Sequence, residues 1–452
     1  MKIEKRWIIS FLIISIVSIV ALFWPEQTSL PKPGTFLGED SIVGSDVAWI
    51  LASSGLVLLM TPGLSFFYGG MVGKKNMIST MLQSFIALGV ISIVWVVVGF
   101  SLSFGDSIGI TINGEHYGLI GNPTSYLFFN NVGVLPHSQM ASTIPFVLFA
   151  LFQMKFAVIT PALITGSFAE RVRFISYLLF MVLFHLIIYT PLCHMVWHPD
   201  GLLNKYFGVK DFAGGTVVHM SAGFAALAGA MMIGKRKNPH HEPSNIPFVI
   251  LGTGMLWFGW FGFNAGSAVS SSSLAVQAFA NTTVASAAAA IAWGFIEKIK
   301  GRKLSAMGVS IGAVVGLVAI TPAAGFVTVP HSILIGIVAV AVSSFVVDWR
   351  GKTNIDDTLD VFPCHGVGGM VGMVLTGVFA TPTINAAVVE PGLFYGGTSL
   401  FIKHMIALVG VSVFAFFGSY LLLYITNLIT PLRVNEEYEK EGLDKTQHGE
   451  SL

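Results

Sequence analysis

Apolar runs of about twenty residues, the length needed to cross a bilayer as a helix, follow one another from residue 46 to residue 429 with only short polar connections between them. No other feature restricts the chain as strongly. In lipid a spanning backbone must satisfy its own N–H and C=O groups, so runs of this length become helices. They lie near 46–72, 76–104, 142–168, 174–197, 214–234, 246–265, 274–297, 304–322, 331–348, 360–381 and 398–429, and a further apolar stretch covers 7–24. Residue usage agrees, because 54% hydrophobic against 10% charged excludes an ordinary soluble domain. The expected fold class is an all-α polytopic membrane protein with eleven transmembrane helices, preceded by an N-terminal signal or anchor segment. A net charge of +1 offers nothing to attract a nucleic acid. Cys193 and Cys364 both fall inside apolar runs, so neither a disulfide framework nor a cysteine metal site is implied.

The connections alternate in charge. Lys74 and Lys75, Arg171 and Arg173, Lys235 to Lys237, Lys298 to Lys303, and Arg350 with Lys352 occupy every second connection, while the others hold only Lys205 and Lys210. By the positive-inside rule the basic connections and the polar C-terminal tail are cytoplasmic, and residue 46 starts outside. Spans one to five and six to ten are then equal in number and opposite in direction, the pattern of an inverted repeat with its site at the interface near the midplane. Lys2, Lys5 and Arg6 ahead of the first apolar stretch read as the inside end of a signal sequence or a retained anchor, and both remain open. The chain divides into a signal or anchor with an exported segment (1–45), a transmembrane domain (46–430) and a cytoplasmic tail (431–452).

Two stretches share a spacing. In DFAGGTVVHMSAG, Asp211 stands eight residues before His219, and in DDTLDVFPCHGVGG, Asp357 stands eight before His365. At about 1.5 Å per residue, eight steps cover roughly 12 Å, a little under half of a roughly 30 Å hydrocarbon core. With the helices entering from opposite faces, both imidazoles reach the same depth. Burial disfavours a charged imidazole, but two neutral rings share one proton between facing nitrogens and exchange hydrogen bonds with a small polar solute. No metal or cofactor is implied, since HExxH is absent and two neutral nitrogens make a poor zinc site. Asp211 is too far from His219 to orient it. It reads equally as a helix cap or as negative potential that draws cations to the outer mouth.

Other positions are ordinary when taken singly. Phe152 and Phe156, four apart, share a helix face. Trp197 lies at an outer boundary, where tryptophan anchors are common. Phe263 and Ser267 are also four apart, near the outer end of span six. The glycines of TPGLSFFYGGMV point to close packing in span one, the Ala-, Gly- and Ser-rich spans seven and eight look like scaffold, and 105–141 looks like an external cap. Lys155 is the oddity, a lysine well inside an apolar run, where ionisable groups are functional suspects.

With these residues in place the chain resembles the Amt/Rh ammonium transporter family, on the Amt branch. The resemblance runs from about Asp46 to Glu450 through TPGLSFFYGGMV, GSFAERVRF, HMVW, DFAGGTVVHMSAG, WFGFNAGS, DVFPCHGVGGMVG and GLDKTQHGE. It implies eleven helices around a narrow pore in each subunit of a homotrimer, sitting in the cell membrane and carrying ammonium. By the same resemblance Phe152, Trp197 and Ser267 form an external ammonium site, Phe156 and Phe263 a gate, His219 and His365 a twin-histidine pair, and Asp211 an acid supporting recruitment. The tail is similar to one that couples subunits, and many relatives bind PII-type signalling proteins at the cytoplasmic face. Lys155 departs from the family pattern, as does the long N-terminal extension. Three other readings remain: an ammonium sensor of the same fold, an electroneutral ammonia or carbon dioxide channel, and an intramembrane enzyme, which lacks a nucleophile at a credible spacing.

Overall fold

The computed structural model describes residues 5–24, 32–239 and 242–452. The N-terminal apolar stretch forms α1 (Lys5–Phe23), with Phe11, Leu22 and Phe23 exposed. Residues 1–4, with Lys2, and 25–31, where a signal cleavage would fall, lie outside the described set. Beyond them come α2 (Gly44–Met71), α3 (Lys74–Phe104), α4 (Phe146–Ser167), α5 (Phe174–Trp197), α6 (Gly215–Ile233), α7 (Ile246–Ala268) and α8 (Ser273–Ile299). The shorter α9 (Ala306–Ile320) precedes α10 (Val329–Arg350), α11 (Phe362–Phe379) and α12 (Ser399–Ile429). Among the described residues ten of these helices are long and apolar enough to cross a membrane, and α9 stands where the eighth span is expected.

The two halves meet through equivalent helices. α2 and α7, the first of each half, approach so closely that a Cβ on Gly63 would stand 2.9 Å from that of Met255, and one on Gly70 would collide with the Asn245 carbonyl. α6 and α11, the fifth of each half, cross with Gly223 directly against the backbone of Gly366, and Gly369 against the Gly215 carbonyl. Hydrophobic burial gives little drive between helices already in lipid, so small residues that let backbones touch are what hold such crossings. Gly223 and Gly369 are each the residue four past a histidine, so the spacing from histidine to contact glycine recurs between the halves. Close packing of α8 with α9 and α10 follows the same rule, Gly312 and Gly316 meeting Ala289 and Ala285.

At the end of the bundle away from the basic connections, the segment expected to be an external cap contains a hairpin, β1 (Ser107–Ile112) and β2 (Glu115–Gly121). Asn113 and Gly114 turn it with positive φ of 53° and 84°, the backbone a two-residue turn requires. A search for twenty-residue apolar runs passes over that short Asn-Gly signal.

At the basic end the tail folds back as α13 (Glu436–Glu441) and a final turn. The Asp444 carboxylate accepts the backbone N–H groups of Ile78 and Ser79 at 3.1 and 2.7 Å, capping the start of α3 from across the fold. Beneath it Arg236 pairs with Glu170 at 2.8 Å and Asp356 at 2.9 Å. Burial would raise the Asp356 carboxyl, but the Arg236 hydrogen bonds and the Arg171 charge outweigh it and hold it at about 2. The buried Arg171 guanidinium donates to Gly234 O, Ala169 O, Ser167 O, Asp356 O and Thr358 Oγ1. Its charge is thereby tied to the loop that leads into α11.

Candidate functional site

Both histidines stand near the start of a helix. The Asp211 carboxylate accepts the N–H groups of Gly214 and Gly215 at 2.8 and 2.7 Å and of Thr216 at 2.7 Å, with the Thr216 hydroxyl as a fourth donor. Those are the orphan donors of a helix N-terminus, so the carboxylate is occupied as a cap and is only 6% exposed. Asp357 repeats the arrangement with two donors, Val361 N at 3.1 Å and Phe362 N at 2.7 Å. Each cap is followed by a π-helical turn that contains the histidine, Gly215–Met220 and Phe362–Val367. The eight-residue offset is therefore a capping loop and a widened turn, not the straight α-helical run that the spacing suggests. Such turns are rare, concentrate at functional sites, and here swing the imidazoles toward each other.

The result is a contact. His365 Nδ1 lies 3.3 Å from His219 Nδ1, with ring centroids 5.4 Å apart and planes tilted by 20°. One hydrogen shared between those two nitrogens satisfies both, leaving the outer nitrogens free for a solute or a proton. His219 Nε2 is buried with no protein partner. Around the pair Met60, Leu64, Ile159, Leu163, Val218 and Val314 line an apolar cavity that both rings enter. A second small cavity continues from His365 toward the basic end past Phe67, Tyr68, Met71 and Cys364. Unpaired charge would be very costly in such a lining, whereas a small neutral molecule is not excluded.

Toward the other end the lining becomes aromatic. The Phe263 ring is 5.9 Å from His219 and 4.3 Å from Phe156, and the two phenylalanine planes meet at a tilt of 37°. Phe156 in turn contacts Phe152 at 5.0 Å and Trp197 at 5.8 Å. The Trp197 indole N–H donates to the Asp211 carbonyl at 3.1 Å, which fixes the ring beside the capped helix. Ser267 donates its hydroxyl to Phe263 O at 2.8 Å and keeps lone pairs for an incoming donor. Asp46 secures this corner by accepting from Ser271 N and Oγ and from Thr143 Oγ1. The singled-out aromatic residues and both histidines thus form one chain of ring contacts, with Ser267 bonded to Phe263, while the Asp211 carboxylate is turned to its own helix start.

Trp260 was not a candidate from sequence. Its ring stacks on His219 at 5.4 Å and 17°, and its indole N–H donates to Thr321 Oγ1 at 2.9 Å. The signal is present in WFGWFGF, where Trp260 and Phe263 are three apart and share a helix face. Lys155 sits half-buried on α4 beside Phe156, with no ion pair among the described residues.

A bundle of membrane-crossing helices in two opposed halves, with small apolar cavities and a histidine pair at their interface, is the build of a transport protein for a small solute. The model for the Ammonium Transporter Family matches residues 48–452, and the chain belongs to that family. It is 45% identical over 407 residues to the ammonium transporter of Bacillus subtilis, covering 90% of this chain and 97% of that protein. The crystal structure of Saccharomyces cerevisiae Mep2 superposes with a TM-score of 0.81 at 32% identity, covering 88% of this chain and 89% of that one. A structure titled Sensor Amt Protein superposes with a TM-score of 0.80 at 28% identity, covering 91% of this chain and all of that one. The curated relatives are named for transport and not for catalysis.

Proposed function

We propose that this protein recruits ammonium at Phe152, Trp197 and Ser267, strips one proton near the Phe156–Phe263 gate, and passes ammonia through the apolar cavity while the proton moves separately by way of His219 and His365. The observation that carries this reading is the 3.3 Å approach of two imidazole nitrogens inside an otherwise apolar path. Aromatic faces attract a cation by about 0.5–2 kcal/mol and a serine hydroxyl accepts one N–H, enough to recruit ammonium but not to replace its hydration. Potassium, which has no proton to lose, is rejected at that step. In this reading the basic end and the tail are cytoplasmic, the Asp211 carboxylate acts on recruitment only by holding Trp197 and the helix start, and no cofactor takes part. The same reading places the chain in the cell membrane as a homotrimer whose cytoplasmic face is available to a PII-type signalling protein.

Purified protein in liposomes, assayed by solid-supported-membrane currents, tests it. Ammonium pulses should give a current that potassium does not, and His219→Leu with His365→Leu should remove it. Absence of an ammonium-dependent current from the intact protein defeats the proposal in favour of an electroneutral channel or a sensor. The sensor reading draws on the superposition with the protein titled as one. Growth rescue of a transporter-deficient cell on low ammonium separates transport from sensing.

A further inference from the structure

Histidines aside, Lys155 is the one ionisable Asp, Glu, Lys or Arg near the middle of a described span, and the transport reading leaves it unused. It lies nine residues after Phe146 and twelve before Ser167, the ends of α4. At about 1.5 Å per residue that is roughly 14 and 18 Å from either end, whereas a lysine stem carries its head only about 6 Å. Snorkelling to water is therefore out of reach. Among the described residues no carboxylate pairs with it, although its side chain is half-buried.

Its position on the helix gives it something to act on. Three residues along an α-helix turn 300°, so Lys155 lies about 60° around the axis from Phe152, and one residue, about 100°, from Phe156. Helical side chains lean toward the N-terminus, which is the direction of Phe152, one turn earlier on α4. The cation path and this charge are then separated by about one helix thickness, roughly 10 Å. We propose that Lys155 is a specificity-determining residue, a fixed positive charge beside the aromatic gate that raises the cost of any whole cation there and leaves neutral ammonia unaffected. At an effective dielectric constant of about 20, two unit charges at that distance shift a binding equilibrium roughly tenfold. The lysine thus weakens ammonium binding at the gate and strengthens the requirement that the solute cross as its base. This deepens the transport reading given above and rests on it.

The test uses the full-length protein in liposomes, with currents recorded against ammonium concentration. Lys155→Met should lower the half-saturating ammonium concentration by about three- to tenfold, as expected from removal of a like charge. Lys155→Arg, which keeps the charge, should match the unmodified protein. Moving the charge one turn along the same face, Leu151→Lys with Lys155→Met, should restore the higher value. Where the Met variant fails to insert, Lys155→Gln carries the same expectation. The proposal is overturned if the neutral variant saturates like the unmodified protein, or if the Met and Arg variants shift alike, which would mean packing and not charge. Loss of all ammonium current in the unmodified protein would instead refute the transport reading.

Discussion

The helix starts at Asp211 and at Asp357 are built alike and open onto different surroundings. Each carboxylate caps a π-helical turn that turns a histidine inward, and each helix carries a glycine four residues on that seats it against its counterpart. At Asp211 the cap takes four hydrogen bonds and its carbonyl holds the Trp197 indole, so the nearby mouth is aromatic. At Asp357 the cap takes two, and the neighbouring Asp356, Arg171 and Arg236 join an ion-pair network under the tail. The repeated part is what places two imidazoles at one depth. In the proposed reading the divergent parts differ because one end meets a cation, while the other is locked to the C-terminal segment.

The largest effect should come from removing what the halves share. His219→Leu together with His365→Leu is expected to cut the ammonium-dependent current by more than about tenfold while the protein still assembles, because the replacement apolar lining is cheap in lipid. A double variant with unchanged current and unchanged discrimination against potassium would show that the shared part is only architecture.

Next, the caps should be unequal. Asp211→Ala is expected to cost about 2–4 kcal/mol and Asp357→Ala about 1–2, in proportion to the donors each leaves unpaired. Thermal unfolding of the detergent-solubilised protein reads this as a larger drop in midpoint for the Asp211 variant. Equal drops would erase the asymmetry.

The two mouths should then respond differently to loss of side chains. Trp197→Leu is expected to raise the half-saturating ammonium concentration about three- to thirtyfold, the equivalent of one cation–π contact, while Leu359→Ala beside the second cavity should stay within about twofold. A shift of the same size at both positions would place recruitment elsewhere.

The most confined effect concerns the ion-pair end alone. Asp356 is held at about 2, below its ordinary 3.8, so its contribution to stability is present above about pH 4 and disappears as the pH falls through 2. The amount is about 2 kcal/mol, and Asp356→Asn should flatten the loss of thermal stability over that interval. A variant with the same acid profile would mean that other carboxylates carry it.

Much of the site was legible without coordinates. Phe152 and Phe156 share a helix face by spacing, and His219 and His365 share a depth by their equal offsets from acids in oppositely directed spans. The family motifs supplied the roles proposed for Trp197, Phe263 and Ser267. Trp260 was missed because an aromatic among many in an apolar helix carries no mark of which face it will show. The π-helical turns were missed because one residue more per turn leaves no trace in composition.

By itself the sequence determined that the chain spans a membrane many times, which ends are basic, and that two halves run in opposite directions. Those follow from run length, the cost of burying backbone polar groups and charge, and the alternation of lysine and arginine, all of which are properties of neighbouring residues. Only the tertiary structure decided that the two histidines touch, that the Asp211 carboxylate turns to its own helix, and that Lys155 has no ion pair among the described residues. Each of these depends on how distant helices cross, and a crossing is fixed by glycine contacts between segments far apart in the chain, as between Gly63 and Gly252 or Gly223 and Gly366.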